Sequence, residues 1–469
     1  MGRLRGRLRG RLRGQLSRPD QQRRREQRGW YVYDWANSAY QTTVIAVFLG
    51  PYLTTVARNA ACGTVVSAAN PCPVTDPRLT ILGISIVPGS YYSFLLALSI
   101  VVQVLVLPLT GAVADRSARK KEILALFAYV GAFATMGMFF LDGERYLLGG
   151  ALYLLAQASF GASVVVYNAF LTEIATPDDR DRVSSRGWAL GYLGGGLLLA
   201  VNLGVYATRE RLGLTEGQVV RISLAGAGAW WGLFTLVPLA RLRNRAAVAA
   251  GAHGGVRTTF GALRETLRDA RRHRMTLLFL LAYLCYNDGI QSVIGLASVY
   301  GAEELSLAQD TLIVAILLVQ FVAFGGALLL GWLARGFGAK TVVLASLLLW
   351  TVVLAAAYLL PAGAAGRFFV LAAAIGVVLG GSQALSRSLF SQLIPRGKEA
   401  EYFALYVIGE RGTSWVGALT FGLVFQLTGS YRVAIVSLVA FFVVGFVLLL
   451  RVDVRRAIAD AGNDQPHRV

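Results

Sequence analysis

The chain has 469 residues, 55% hydrophobic and only 15% charged, with mean hydropathy +0.57 and a formal net charge of +19. Soluble domains carry about 25% charged residues, and a soluble core stops growing at about 250–300 residues, so an ordinary soluble enzyme is excluded. The Arg surplus would suit a nucleic-acid binder; the apolar excess argues against one, and the placement of the charges decides it.

Residues 1–29 repeat Gly-Arg-Leu-Arg from Gly2, Gly6 and Gly10. They lack the apolar run and cleavage site of a secretory signal and read as a solvated, disordered basic arm beside anionic headgroups. From residue 30 onward, apolar stretches reach the roughly 20 residues that a membrane-crossing helix needs. Six fall at 30–57, 89–113, 123–141, 147–171, 187–207 and 221–241, giving a first bundle over 30–241. A basic linker covers 242–274, with Phe260, Leu263, Leu267 and Ala270 on one side of an expected surface helix. Six more stretches fall at 275–299, 311–333, 340–360, 367–392, 402–427 and 432–451, giving a second bundle over 275–451 before a tail at 452–469. The ten-residue alternating strands of a membrane barrel are absent from this pattern. The expected fold is an all-α membrane protein of twelve transmembrane helices in two pseudo-symmetric six-helix bundles.

Most of the 45 Lys and Arg residues fall on one side if the N-terminus is placed inside. The leader, Arg116 to Lys121, Arg180 to Arg186, the linker and the tail are all on that side. By the positive-inside rule both termini are cytoplasmic. The +19 therefore reports orientation in a bilayer, and no nucleic-acid partner is expected. Cys62 and Cys72 lie in the long outside loop, where an oxidising compartment allows a disulfide and a reducing one leaves two thiols. Cys285 reads as a small core residue.

The two halves share short strings. Asp34-Trp-Ala-Asn37-Ser38 in the first span matches Asp288-Gly-Ile-Gln291-Ser292 in the seventh. Gly111-Ala-Val-Ala114-Asp115-Arg116 after the second span matches Gly331-Trp-Leu-Ala334-Arg335 after the eighth, with Arg335 where the Asp would stand. Ionisable residues inside spans are functional candidates by default, because the bilayer makes them costly. Asp34, Asn37, Ser38 and Gln41 share one helix face by their i, i+3, i+4, i+7 spacing, and Asp288, Gln291 and Ser292 repeat it. These residues suit a substrate ammonium group or a transported proton. Interhelical glue and, for Asp34, a gate at the inner end compete with that reading. Arg387, Glu410 and Arg411 form a second polar group, for which an Arg387–Glu410 gate pair is expected, with direct binding of a substrate carboxylate by Arg387 or Arg411 as the competing reading. Glu173 is expected to meet the Arg119 cluster, and Gln157, Asn168, Asn202, Gln320 and Gln383 are expected to act as glue. The three histidines, His253, His273 and His467, lie in loops or tail, so no catalytic cluster, metal site or cofactor is expected.

Gly111-Ala-Val-Ala-Asp115-Arg116-Ser-Ala-Arg119-Lys120-Lys121 resembles the loop motif of the major facilitator superfamily, with Ala118 in place of its Gly. Tyr33-Asp34-Trp35-Ala36-Asn37-Ser38-Ala39-Tyr40 resembles the opening of the vacuole-effluxer branch, which includes the fungal autophagy-related amino-acid exporters. Tyr167-Asn168, Gly187-Trp188, Tyr286-Asn287-Asp288 and Ser386-Arg387-Ser388 are similar to the same branch. The resemblance implies a secondary transporter working by alternating access, with amino acids as the expected cargo and export as the expected direction. Sugars, drugs or peptides as cargo, proton coupling, and a non-transporting receptor stay open. It also implies a latch in which Asp115 caps a neighbouring helix while Arg116 and Arg119 pair with acidic groups. The expected partners are the bilayer and a small solute, in a plasma or inner membrane.

Overall fold

The computed structural model describes residues 18–66, 70–81, 83–245, 272–307, 309–412 and 414–468. The leader repeats and the linker's expected surface helix lie outside the described residues, as does the side chain of Arg411.

The first helix starts earlier than its apolar run. α1 (Arg18–Ala39) passes through a π segment (Tyr40–Phe48) into α2 (Leu49–Cys62). Its polar opening is held in place: Gln27 donates to the Ile174 carbonyl at 2.9 Å, and Glu26 pairs with Arg245 at 2.9 Å. Two local features fit the change of winding. The Thr42 hydroxyl donates to the Ser38 carbonyl and lies 3.3 Å from the Gly195 carbonyl, a side-chain bond that competes with the backbone ladder. Pro51, in the first turn of α2, has no N–H to give. α2 ends at Gly63, whose φ of 64° is the left-handed stop that glycine takes most readily.

A short hairpin follows, β1 (Leu79–Ile81) antiparallel to β2 (Ile84–Ile86). A Cys62–Cys72 disulfide, with Cα atoms 5.4 Å apart, ties this loop to the end of α2. The first half continues with α3 (Tyr91–Arg116), α4 (Lys120–Gly137), α5 (Tyr146–Ile174), α6 (Arg180–Ala207) and α7 (Glu216–Arg241). A capping box of Thr215 and Gln218 starts α7, each satisfying the other's backbone N–H. The second half holds α8 (Arg274–Glu303), α9 (Gln309–Phe337), α10 (Ala339–Tyr358), α11 (Ala365–Gln392), α12 (Glu399–Gly412), α13 (Ser414–Thr428), α14 (Tyr431–Ser437) and α15 (Val439–Leu450).

Eleven helical stretches among the described residues are long and apolar enough to cross a membrane. α12 and α13 occupy the place of the expected eleventh span, on either side of residue 413. Large apolar side chains such as Phe133, Trp332 and Val370 stand well exposed on the outside of the bundle, a surface that suits hydrocarbon and not water. Inside, Trp30, Trp231 and Trp350 are fully buried.

In the first half α1 packs against α6 and α7, and α5 against α3 and α4. In the second, α8 packs against α13 and α15, and α11 against α9 and α10. The halves meet where α6 touches α9 and α11, and where α12 touches α3 and α5. The tail is more ordered than a plain solvated end. Asp453 caps α16 (Val454–Asp460), whose Val454, Ala457 and Ile458 are buried. Beyond it, Asn463 donates to the carbonyls of Gln392 and Ile394, and the His467 N–H reaches Asp178 at 2.6 Å.

Candidate functional site

Glycine spacing lets the first helix of each half come close to another helix of its half. A Cβ at Gly191 on α6 would stand 2.7 Å from Ser38 Oγ, and one at Gly417 on α13 would stand 2.2 Å from Ser292 Oγ. The two Asp-x-x-(Asn/Gln)-Ser strings therefore hold matching places in their halves. Small residues are what allow membrane helices such an approach.

The two carboxylates have different surroundings. Asp34 Oδ2 accepts from Arg387 Nη2 at 3.1 Å, an ion pair between α1 of the first half and α11 of the second. Arg387 is 3% exposed. Its Nε donates to Ser184 Oγ at 2.9 Å, its Nη2 to the Ser184 carbonyl at 3.0 Å, and its Nη1 to Asn168 Oδ1 at 3.5 Å. The guanidinium also lies over the rings of Trp30, Trp188 and Tyr167, at 4.7, 5.3 and 5.7 Å. Trp30 is fixed in turn by a 2.9 Å bond from its Nε1 to the Tyr167 carbonyl and by stacking on the Tyr167 ring.

This corrects the expected Arg387–Glu410 pair. α11 turns Arg387 out of its own half and toward α1, α5 and α6, so sequence proximity to α12 does not select the partner. Glu410 lies instead in electrostatic range of Tyr192, Tyr283 and Tyr406. Asn168, read as glue, belongs to the arginine pocket.

Asp288 is 2% exposed, and its Oδ2 accepts the Gly417 N–H at 3.0 Å. Among the described residues, its Oδ1 and the Ser292 hydroxyl have no hydrogen-bond partner. Asn37 is buried with its amide nitrogen unpartnered among the described residues, while Gln41 and Gln291 are half-buried.

A second set of contacts lies at nearby helix ends. Asp115 accepts the N–H groups of Ala400 and Glu401, at 3.0 and 2.9 Å, so a carboxylate from the first half caps the first turn of α12. Such a cap fills donors that the helix start leaves open. Arg116 reaches Glu401 at 3.5 Å. Glu173 pairs with Lys120 at 2.8 Å and Arg245 at 3.0 Å. Glu173 thus meets the Arg119 cluster through Lys120, while Arg119 itself is exposed.

Sequence reasoning missed the contacts between α6 and α11. Arg180 Nη1 donates to the Ser391 carbonyl at 2.9 Å, Ser184 Oγ to the Ala384 carbonyl at 2.7 Å, and Ser388 Oγ to Asp181 Oδ1 at 2.6 Å. The available signal was the run of serines at 382, 386, 388 and 391 around a charged residue within an apolar span. Together these bonds close the seam between halves at the helix ends nearest the chain termini, called here the termini face.

Residues 22–462 match the family model described as "Vacuole effluxer Atg22 like". The chain belongs to this Atg22-like family. It is 30% identical to an uncharacterized MFS-type transporter of Bacillus subtilis, YxiO, over 94% of this chain and 98% of that one. It is 26% identical to autophagy-related protein 22-1 of Penicillium rubens, over 93% of this chain and 91% of that protein. Among solved structures it shares its fold with FucP, a major facilitator superfamily transporter in the outward conformation, at TM-score 0.65 and 12% identity, covering 92% and 98% of the two chains. A bacterial homologue of the iron transporter ferroportin in an outward-facing state aligns at TM-score 0.63 and 13% identity, covering 92% and 98%. This Atg22-like protein is thus a multi-pass membrane transporter of the major facilitator superfamily, built on that superfamily's twelve-helix architecture. Its arginine pocket and its Asp115 cap both lie on the seam between the two halves.

Proposed function

We propose that this protein exports amino acids from the cytoplasm by alternating access, with the Asp34–Arg387 pair as the inner gate. The pair itself is the observation that carries the reading. It is buried, it joins the two halves, and removing one member of such a pair costs about 3–5 kcal/mol because the other is left uncompensated. A transporter that opens this face must separate the two charges and supply replacements. A zwitterion brings one cation and one anion, the set that a parted carboxylate and guanidinium require.

The distribution of Arg and Lys supports placing the gate on the cytoplasmic side. The Asp115 cap and the Arg116–Glu401 pair serve in this reading as an outer latch on the same face. Asp288, Gln291 and Ser292 are assigned to coupling. Among the described residues, Asp288 has a backbone N–H but no basic group bonded to its carboxylate. An uncompensated buried charge is costly, which suits a group that takes a proton on one side and gives it up on the other.

Reconstituted protein tests the reading by flux. Labelled amino acids should exchange across proteoliposomes at a rate that Asp34→Asn cuts at least tenfold. Exchange of a sugar, drug or peptide with no amino-acid exchange overturns the cargo, and unchanged exchange in Asp34→Asn overturns the gate.

A further inference from the structure

We infer that the pocket holding Arg387 is the binding site for the cationic group of the transported solute, and that Arg387 fills it as a tethered substitute while the termini face is closed. This rests on the transport reading above and adds the chemical group by which cargo is recognised.

The hydrogen bonds and ring contacts of Arg387 described above all come from the first half. α1 gives Asp34 and Trp30, α5 gives Tyr167 and Asn168, and α6 gives Ser184 and Trp188. The pocket belongs to one bundle and its occupant to the other. When the bundles part, the guanidinium leaves and the acceptors stay together.

What stays is chosen for a cation. The polar atoms facing the guanidinium are a carboxylate oxygen, an amide oxygen, a hydroxyl and a backbone carbonyl. Three aromatic faces complete the lining, and cations over such faces gain further attraction in desolvated sites. Gly187 keeps the space open: a Cβ there would stand 2.6 Å from Asp34 Oδ2 and from the Trp30 ring, and 3.0 Å from Arg387 Nη2. A neutral polyol or an anion would leave Asp34 uncompensated. A primary ammonium or a guanidinium would not.

The exchange links recognition to movement. Solute and Arg387 cannot occupy the pocket together, so a bound cation holds the gate apart, and its departure lets Arg387 return. Loading then occurs from the termini face.

The test uses the purified full-length chain and two probes with one skeleton, L-leucinamide and N-acetyl-L-leucinamide, which differ by the ammonium charge. Arg387→Ala should bind leucinamide at least tenfold more tightly than the wild type does, with no gain for the N-acetyl compound. The gain should vanish when Asp34→Asn is added. Arg387→Gln, which keeps bulk without charge, carries the same expectation if the alanine variant does not fold. No gain in either variant, or an equal gain for both probes, overturns the inference. Leucine counterflow by the wild type is read alongside. A leucinamide gain without counterflow sinks the cargo assignment and keeps the pocket, whereas counterflow without the gain does the reverse.

Discussion

Asp34 and Asp288 occupy matching places on the first helix of each half and have unlike partners, a guanidinium from across the seam at 3.1 Å for one and the Gly417 N–H of its own half at 3.0 Å for the other. The repeat has therefore been kept in position and divided in its bonding partners. Each carboxylate makes a separate prediction.

Asp34→Asn leaves the Arg387 charge buried without its counter-ion. The closed seam should lose about 3–5 kcal/mol, and the population should shift toward an open termini face. A cysteine placed at Ser391, whose carbonyl Arg180 holds across the seam, should react with a maleimide several-fold faster in this background. The charge swap Asp34→Arg with Arg387→Asp should recover part of the protection. Labelling at the wild-type rate in the single variant would count against the pair as a closure element.

Asp288→Asn keeps an oxygen for the Gly417 N–H and removes the titrating group. The variant should fold, retain solute counterflow, and lose its response to an imposed pH gradient. Unaltered pH-driven accumulation would take proton coupling away from Asp288.

Asp115→Ala uncaps the first turn of α12, and losing a cap costs about 0.5–2 kcal/mol. Glu401→Gln removes a charged partner that is 10% exposed but leaves Arg116 at 35%; pairs of that kind contribute about 0–1 kcal/mol. Thermal unfolding should rank Asp115→Ala as the more damaging of the two. An equal or reversed ranking would show that the pair, and not the cap, secures the latch.

Gly187→Ala places a methyl group 2.6 Å from both Asp34 Oδ2 and Trp30. Overpacking of this kind costs typically 1–3 kcal/mol, here at the meeting of α1, α6 and α11. The Ser391 cysteine should again label faster, with the protein still inserted. Gly204→Ala, on the same helix with open space around it, should not change the rate.

The sequence was most legible where physics is local. Apolar runs located the spans because the hydrocarbon demands them, and Asp34 and Asp288 stood out because a carboxylate there is costly. The start of α1 was misplaced by about three turns, since Gln27 and Glu26 owe their helical place to Ile174 and Arg245, which are far away in sequence. The partner of Arg387 was missed for a related reason. Both Glu410 and Asp34 are acidic and intramembrane, and only the rotation of α11 toward the first half chooses between them. Ser184 and Ser388 were overlooked because serines in apolar helices normally bond their own backbone, and nothing local shows that these two cross a seam. The π segment at Tyr40–Phe48 has no periodicity of its own to read.

The segment after α16 bears on how the protein can be handled. It is fastened to the end of α11 through Asn463 and reaches the first half at Asp178 through His467. A fluorescent protein or affinity tag joined to the last residue would pull on a strap that spans both bundles, so it is no neutral label. Placed there on purpose, a small fluorophore becomes a position sensor: its distance from a second dye on the α5–α6 turn should lengthen whenever the termini face opens.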